Sequence, residues 1–471
     1  LAAGFLLALA AGQGATFNIG NGDVAGLIAA IQTANTNGEV NVINLAPNGL
    51  YVLMAVEENP PEYNNPGAVG LPVIRGQVTI NGNGATIQRS TAPGTPNFVP
   101  LAVSGRTASC GDASCFSHPS LTLSQTTLTG GSLGGLHLNS ATALIQSSTI
   151  TQNTGGGINN ACGNLTLLNS TVSYNTSGDA YGGGGIFLWN FSCAPGTPTA
   201  NISFSTIFEN QNTSGTNAQG ESYGPGYALT AAFGNPGAVI VKNSILASPS
   251  RAFYPAAACN GTLPISMGNN IVGDTSCGFT GPGDLINTNP LLGPAANNGG
   301  PTLTDLPAAG SPAIDAVPLS SCSDVSGNTV TTDQRGIARP QGSACDIGSV
   351  EVVQGPKYQT CLLYNSTKAV NSGAVDPIKL DLCDASGNDL SSSAIALHAT
   401  SVTQVSTSIS GVVQDAGNAN PDNDFRFDAT LGTTGGYIFN LSTKGLSTGT
   451  YVLNFLVTGD TFVYAASFQV K

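Results

Sequence analysis

Eight residues concentrate the side chains that could do chemistry in this chain. Tyr174, Asp179, Tyr181, Trp189, Glu209, Glu221, Tyr223 and Tyr227 fall in one stretch of a sequence poor in acids and aromatics, with 26 Asp and Glu, 12 Tyr and one Trp in 471 residues. Aromatic rings stack on apolar faces such as those of sugar rings, and carboxylates accept from hydroxyls, so this mixture suits a glycan. If Asp179, Glu209 and Glu221 stood about 5–10 Å apart in a cleft, they could also act as the acid and the nucleophile or base of a glycoside hydrolase. A polyuronate lyase is disfavoured. Its proton abstraction calls for a basic residue, and no Arg or Lys occurs from Thr107 to Val241. The three histidines, His118, His137 and His398, are isolated in sequence. No G-x-S-x-G, P-loop or H-E-x-x-H motif is present. The glycine runs "TGGGIN" and "YGGGGIF" lack the helix that a phosphate loop requires and read as turns. No residue is therefore assigned a catalytic role outright, and no cofactor or metal is called for. The cluster "DAGNANPDNDF", residues 415–425, offers calcium-type oxygens but lacks the bridging Glu of an EF loop, so it reads as a polar turn with calcium as the lesser option.

What must position these residues is a repeat. "LTLSQTTLTGGSLGGLHLNSAT" begins at Leu121, "ALIQSSTITQNTGGGINNACGN" at Ala143 and "LTLLNSTVSYNT" at Leu165, two steps of 22 residues. "ANISFSTIFENQ" from Ala200 and "AVIVKNSILASP" from Ala238 are later copies. Each places a Ser/Thr/Asn run before an aliphatic residue, at Leu128, Ile150, Val172, Ile207 and Ile245, and the first four continue to a glycine cluster before another apolar residue, in "GGLHL", "GGGINN", "GGGGIFLW" and "GPGYALT". Period-2 alternation inside a fixed period near 22 predicts short strands wound into a solenoid. Coils stacked at strand spacing, about 4.8 Å, tolerate no ladders of like charge, so Ser, Thr and Asn fill the positions that would otherwise be charged.

The spacing between landmarks also locates the loops. Seven residues separate Leu128 from Leu136, and seven separate Ile150 from Ile158. Thirteen separate Val172 from Ile186, and twenty separate Ile207 from Ala228. Stacking predicts that the loops at 173–185 and 208–227 lie side by side, and long loops on one edge of a solenoid are the usual binding face.

Composition narrows the setting. Charged residues are 8% of the chain, against about 25% in an ordinary soluble domain. The net charge is −13 with only 13 Lys and Arg, which excludes nucleic acid as a partner. The opening "LAAGFLLALAAGQGATF" has an apolar run from Phe5 to Ala11, and Ala8-Leu9-Ala10 fits a cleavage site, so residues 1–14 read as a signal-peptide remnant. No transmembrane segment is expected in the mature chain. Ten cysteines agree with export. Their spacing suggests sequential pairs: Cys110–Cys115, Cys162–Cys193, Cys259–Cys277, Cys322–Cys345 and Cys361–Cys383. Ahead of the coils, "DVAGLIAAIQTANTNG" predicts a short amphipathic helix with Asp23 as N-cap and Leu27, Ile28 and Ile31 on its apolar face, ending near Asn37-Gly38. It would cap the open strand edge.

Two resemblances sharpen the picture. "ATFNIGNGDVAGLIAAIQTAN" together with the coils resembles the opening of pectate-lyase-like right-handed parallel β-helices. "NNGGPTLTDLPAAGSPAIDAV" followed by "TDQRGIARPQGSACDIGSVE" resembles the choice-of-anchor Q family of bacterial surface proteins. The match runs through Asn297-Asn298-Gly299-Gly300-Pro301, Ser311-Pro312-Ala313-Ile314-Asp315, Asp333-Gln334-Arg335-Gly336 and Cys345-Asp346-Ile347-Gly348. That family implies a β-helix on an exported protein and no agreed reaction. Locally, Arg335 could pair with Asp315, Asp333 or Asp346 to close the last coils. From Gly355-Pro356 onward the strands lengthen. Pro377-Ile378-Lys379-Leu380 and "FRFDATLGTTGGYIFNLSTKGLSTGTY" resemble the PxKF domains of exported proteins, with Leu380 where Phe is usual.

The expectation is an all-β chain. A right-handed parallel β-helix over residues 15–355, with a capping helix, precedes an Ig-like β-sandwich over 356–471. Non-catalytic glycan binding, adhesion or an extracellular structural role is the leading function. A polysaccharide hydrolase and a self-associating filament subunit are the alternatives.

Overall fold

The computed structural model describes residues 14–60, 67–106, 118–178, 183–190, 197–213, 228–232, 237–247, 257–353, 355–384, 386–406, 409–414, 416, 419–460 and 462–471. These residues divide into two compact units, separated at Val352 and Val353, with Gln341–Ser343 grouped with the second.

The first unit is a parallel β-helix with three faces. One face stacks Thr142–Gln146, Asn164–Leu168, Thr199–Ser203 and Val239–Lys242. The next stacks Thr149–Thr151, Thr171–Ser173, Thr206–Phe208 and Ile245–Ala247. The third stacks Leu101–Ser104, Leu136–Asn139, Ile158–Ala161, Ile186–Trp189 and Leu229–Ala232. All these pairings are parallel and in register. The alternation of each strand therefore becomes a column. Leu123, Ile145, Leu167, Ile202 and Val241 run down one face, and Leu136, Ile158, Ile186 and Leu229 down another, all buried in one core.

The middle column corrects one expected landmark. Leu128, Ile150, Val172 and Ile207 stack as anticipated, but Leu246 continues the series and Ile245 pairs with Thr206 on the outward row. Ile245 can face outward because a later segment covers it. Residues 288–352, nearly devoid of regular strands, lie along the outside of the middle face. Val317, Val330, Ile347 and the Cys322–Cys345 disulfide form a second core there with Phe204, Ile245 and Ile271. The segment is also hydrogen bonded coil by coil: Thr149 Oγ1 to the Leu303 carbonyl (2.5 Å), Asn169 Nδ2 to the Thr332 carbonyl (2.7 Å), Thr171 Oγ1 to Gln334 (2.7 Å) and Lys242 Nζ to Ser323 (2.7 Å). Arg335 pairs with Asp333, one of the three acids anticipated. Arg339 is buried against Glu351 (2.8 Å) and lies over the Phe204 ring.

The helix Val24–Ala34 closes the start of the solenoid. The Asp23 carboxylate accepts from the Gly26 N–H (2.8 Å), and Leu27 and Ile31 are fully buried. It ends three residues before the expected stop. The Asn35 side chain, bound to the Val73 carbonyl and the Arg75 N–H, fixes the chain's exit.

The second unit is two antiparallel four-stranded sheets. One holds Gln359–Leu362, Val375–Cys383, Gly436–Ser442 and Arg426–Asp428. The other holds Ile409–Gly411, Leu397–Gln404, Gly449–Val457 and Val463–Val470. Their inner rows, including Ile378, Leu380, Phe439, Leu453 and Phe468, make one core, as in a β-sandwich. Leu380, the departure from the PxKF pattern, sits fully buried in it.

Candidate functional site

The polar runs that looked purposeless in sequence build the solenoid's corners. At one corner the chain takes a left-handed backbone at Gln125, Ser147, Asn169, Phe204 and Asn243, and the following residue turns its side chain inward. Ser148 accepts from the Thr126 N–H, Ser170 from Ser148, Ser205 from Ser170 and Ser244 from Ser205, each at 3.2–3.3 Å. At the next corner the left-handed residues are Gly130, Gln152, Tyr174 and Glu209. Asn153, Asn175 and Asn210 follow the last three and form an amide ladder, with Asn153 Nδ2 donating to Asn175 Oδ1 and Asn175 Nδ2 to Asn210 Oδ1, both at 2.9 Å. These Asn are fully buried yet satisfied, which removes the cost of an unpaired interior amide. The glycine clusters exist to admit this ladder. A Cβ on Gly135, Gly157 or Gly185 would lie 2.6–3.0 Å from the Asn153, Asn175 or Asn210 amide nitrogen respectively.

This corner brings two of the candidate residues together. Tyr174 and Glu209 occupy the same position on successive coils, linked by the Tyr174 N–H to the Phe208 carbonyl (3.2 Å). The Tyr174 ring meets Phe208 edge to face at 6.5 Å. Burial, then the charges of Asp305 and Glu209, push the Tyr174 hydroxyl up to about 12, so it stays a neutral donor.

The same corner roots both long loops. Thr176 pairs with Gln211 and Ser177 with Asn212, and the Thr213 N–H donates to the Ser177 carbonyl (2.7 Å). The returning chains are again adjacent, with the Ile186 N–H bound to the Ala228 carbonyl (2.9 Å). Asp179, Tyr181, Glu221, Tyr223 and Tyr227 lie in the loops themselves, outside the described residues.

Trp189 lies at the far end of the strand that follows the first long loop. It ends the strand Ile186–Trp189, a strand length beyond the loop corner, and stacks on Phe187 with centroids 6.1 Å apart and planes 4° from parallel. His137 occupies the outward row of the same face, paired with Ala102 and Asn159, but it is buried there.

The disulfides Cys259–Cys277, Cys322–Cys345 and Cys361–Cys383 form as expected. Cys162 is disulfide-bonded. Cys193, Cys110 and Cys115 lie outside the described residues. In the suggested calcium turn, Asn420 is engaged by the Asn440 backbone and Asp424 by His398 (2.8 Å).

Sequence inspection passed over Asp305. It belongs to the covering segment, is only 1% exposed, and faces the outward row of the middle face. Burial is the main reason its carboxyl rises to about 7; the Ser173 hydroxyl opposes the rise and the Glu209 charge adds to it. Although Ser173 is close enough to act on it, neither carboxylate oxygen closes a hydrogen bond of normal geometry, and the hydroxyls of Ser173 and Thr151 are likewise unpaired. The signal was its context: "TLTDLP" sets one acid among apolar and hydroxyl residues in a segment with few charges.

Among the described residues, no helix is long and apolar enough to cross a membrane, and no group of three or more His, Cys, Asp or Glu is placed to hold a metal ion. No family model, curated protein or solved structure matches this chain.

Proposed function

We propose that this chain is an exported, non-catalytic β-helix protein of the choice-of-anchor Q kind, which binds a neutral or weakly charged glycan on the surface formed by the loops at 173–185 and 208–227. The observation that carries the reading is the shared root of the two loops. Both leave and re-enter the solenoid on neighbouring coils, with Thr176 paired to Gln211 where they depart and the Ile186 N–H bound to the Ala228 carbonyl where they return. Tyr174 and Glu209 supply the floor, one as an aromatic edge with a neutral hydroxyl, the other as an acceptor. The laddered corner beneath is rigid, which lowers the ordering cost of binding.

The reading is of binding and not hydrolysis because Asp305, the acid whose raised pKa and coupling to Glu209 would suit a general acid, is sealed beneath the covering segment. Each aromatic contact contributes about 1 kcal/mol, so affinity per site is weak and attachment comes from many copies on one surface. The protein then acts outside the cell, where its disulfides persist.

Retention of the full chain on a glycan array tests this. Wild type is retained on at least one neutral glycan, and the Tyr181→Ala, Tyr223→Ala double variant, with an unchanged circular dichroism spectrum, is not. Retention of neither overturns the binding role and favours a structural one; large assemblies in sedimentation would then point to a filament subunit. Release of reducing ends by wild type, abolished by Glu209→Gln or Glu221→Gln, would instead establish a hydrolase.

A further inference from the structure

Three hydroxyl or carboxyl side chains lie beneath the covering segment with no hydrogen bond of normal geometry among them, although Ser173 is close enough to act on Asp305: Asp305, Ser173 and Thr151. Their placement follows from register. Thr151 and Ser173 are paired on adjacent strands and project from the same outward row, so their Oγ atoms are about one strand spacing apart. The covering segment delivers Asp305 to this row. Thr302 Oγ1 donates to the Ser147 carbonyl, and Thr149 Oγ1 to the Leu303 carbonyl, which places the segment's next residues at Thr151 and Ser173. Asp305, Ser173 and Thr151 are at most 2% exposed. Glu209 and Tyr174 border them from the following corner, close enough for Glu209 to act on Asp305 electrostatically.

Buried polar atoms in native proteins find partners, and four unpaired oxygens in one place ask for a shared one. The two hydroxyls could donate to Asp305, but neither does so with normal geometry, and their lone pairs stay free. A cation would be coordinated by the carboxylate and both hydroxyl oxygens together. Two carboxylates on one side favour a divalent ion over a monovalent one. The near-absence of solvent favours calcium over magnesium, which gives up its water reluctantly and demands stricter octahedral geometry.

We propose that Asp305, Ser173 and Thr151, with Glu209 at the edge, form a calcium site that clamps the covering segment to the coil from which the first long loop departs. The ion would supply the partner these oxygens lack and offset the repulsion between the two acids. It would also tie residues 302–305 to the corner that carries Tyr174. The site shares Glu209 with the proposed glycan surface, but its test reads calcium and terbium binding and so stands or falls apart from glycan retention.

The test uses the full chain, stripped with chelator, at pH 8, where Asp305 is ionised. Calcium at a hundredfold excess over its dissociation constant should raise the melting temperature of the solenoid by about 5 °C. Magnesium at the same concentration should do markedly less. Asp305→Asn should lose the calcium response. So should the Thr151→Val, Ser173→Ala double variant, which keeps the carboxylate and guards against a folding defect in Asp305→Asn. Terbium supplies a second readout: Tyr174 beside the site should sensitise its emission, and Tyr174→Phe should lower that emission while calorimetry still records binding. No calcium response in wild type, or an equal response in wild type and both variants, overturns the proposal. In the first case Asp305 is a protonated structural residue, and in the second the ion binds elsewhere.

Discussion

Replacing Asn175 by Ala tests whether the amide ladder holds the corner that carries the loops. The Asn175 side chain makes five hydrogen bonds. Its Oδ1 accepts from the Asn153 N–H (3.1 Å) and Nδ2 (2.9 Å), and its Nδ2 donates to the Ile150 carbonyl (2.9 Å), the Ser173 carbonyl (3.2 Å) and Asn210 Oδ1 (2.9 Å). Not all of these losses cost equally. Asn153 Nδ2 keeps the Leu128 and Thr151 carbonyls, and Asn210 Oδ1 keeps the Asn175 N–H. The Asn153 N–H loses its acceptor in a buried corner, which costs about 1–3 kcal/mol. The void against Val172 and the glycine column adds about 1 kcal/mol, for a total near 3 kcal/mol. Differential scanning calorimetry should show the solenoid transition fall by about 5–10 °C. Asn175→Asp should fall further at pH 8, because a carboxylate would face the two carbonyls and Asn210 Oδ1 without a proton to offer. A drop below about 2 °C for Ala, or an Asp variant as stable as wild type, would refute the claim that this ladder supports the corner.

Four further outcomes follow. Gly157→Ala should cost about 1–3 kcal/mol by urea unfolding, because its Cβ would lie 2.7 Å from the Gly185 carbonyl oxygen, and backbone in a stacked coil cannot yield. Asp346 is raised to about 7, first by burial and then by the Glu351 charge. The folded state then holds a proton that the unfolded chain releases near pH 4, so stability contributed there falls as pH rises from about 4 to 7, and Asp346→Asn should remove that slope from a plot of urea midpoint against pH. Non-reducing peptide mapping should join Cys162 to Cys193; any other partner would overturn the sequential pairing. Limited proteolysis should cut around 352–358 and leave two folded pieces, and resistance there with a single calorimetric transition would contradict separate folding units.

How much was legible follows from the range of each interaction. The 22-residue step and the alternation of Leu165 and Leu167 with Thr166 reveal a stacked β-coil from sequence alone, because strand stacking repeats the same local demand every turn. The Asp23 cap and the turn of charge into hydroxyl and amide residues are readable for the same reason. Even the loop corner could be found by counting, since an insertion between two landmarks must leave the solenoid between the same two faces. Other features depended on contacts between residues far apart in the chain. Ile245 faces outward and Leu246 inward only because Val317, Val330 and Ile347 arrive to cover that row; by alternation alone either residue would serve. Asp305 reads as an ordinary turn acid until the covering segment lays it on Thr151 and Ser173, where burial, and not its neighbours in sequence, sets its charge. Trp189 follows the first long loop in sequence, and only the fold shows it at the end of a strand, stacked on Phe187. The sequence by itself determined the repeat and its stacking; the pairing of a later segment with earlier coils decided which side chains are buried, charged and able to meet, because that pairing leaves no period to read.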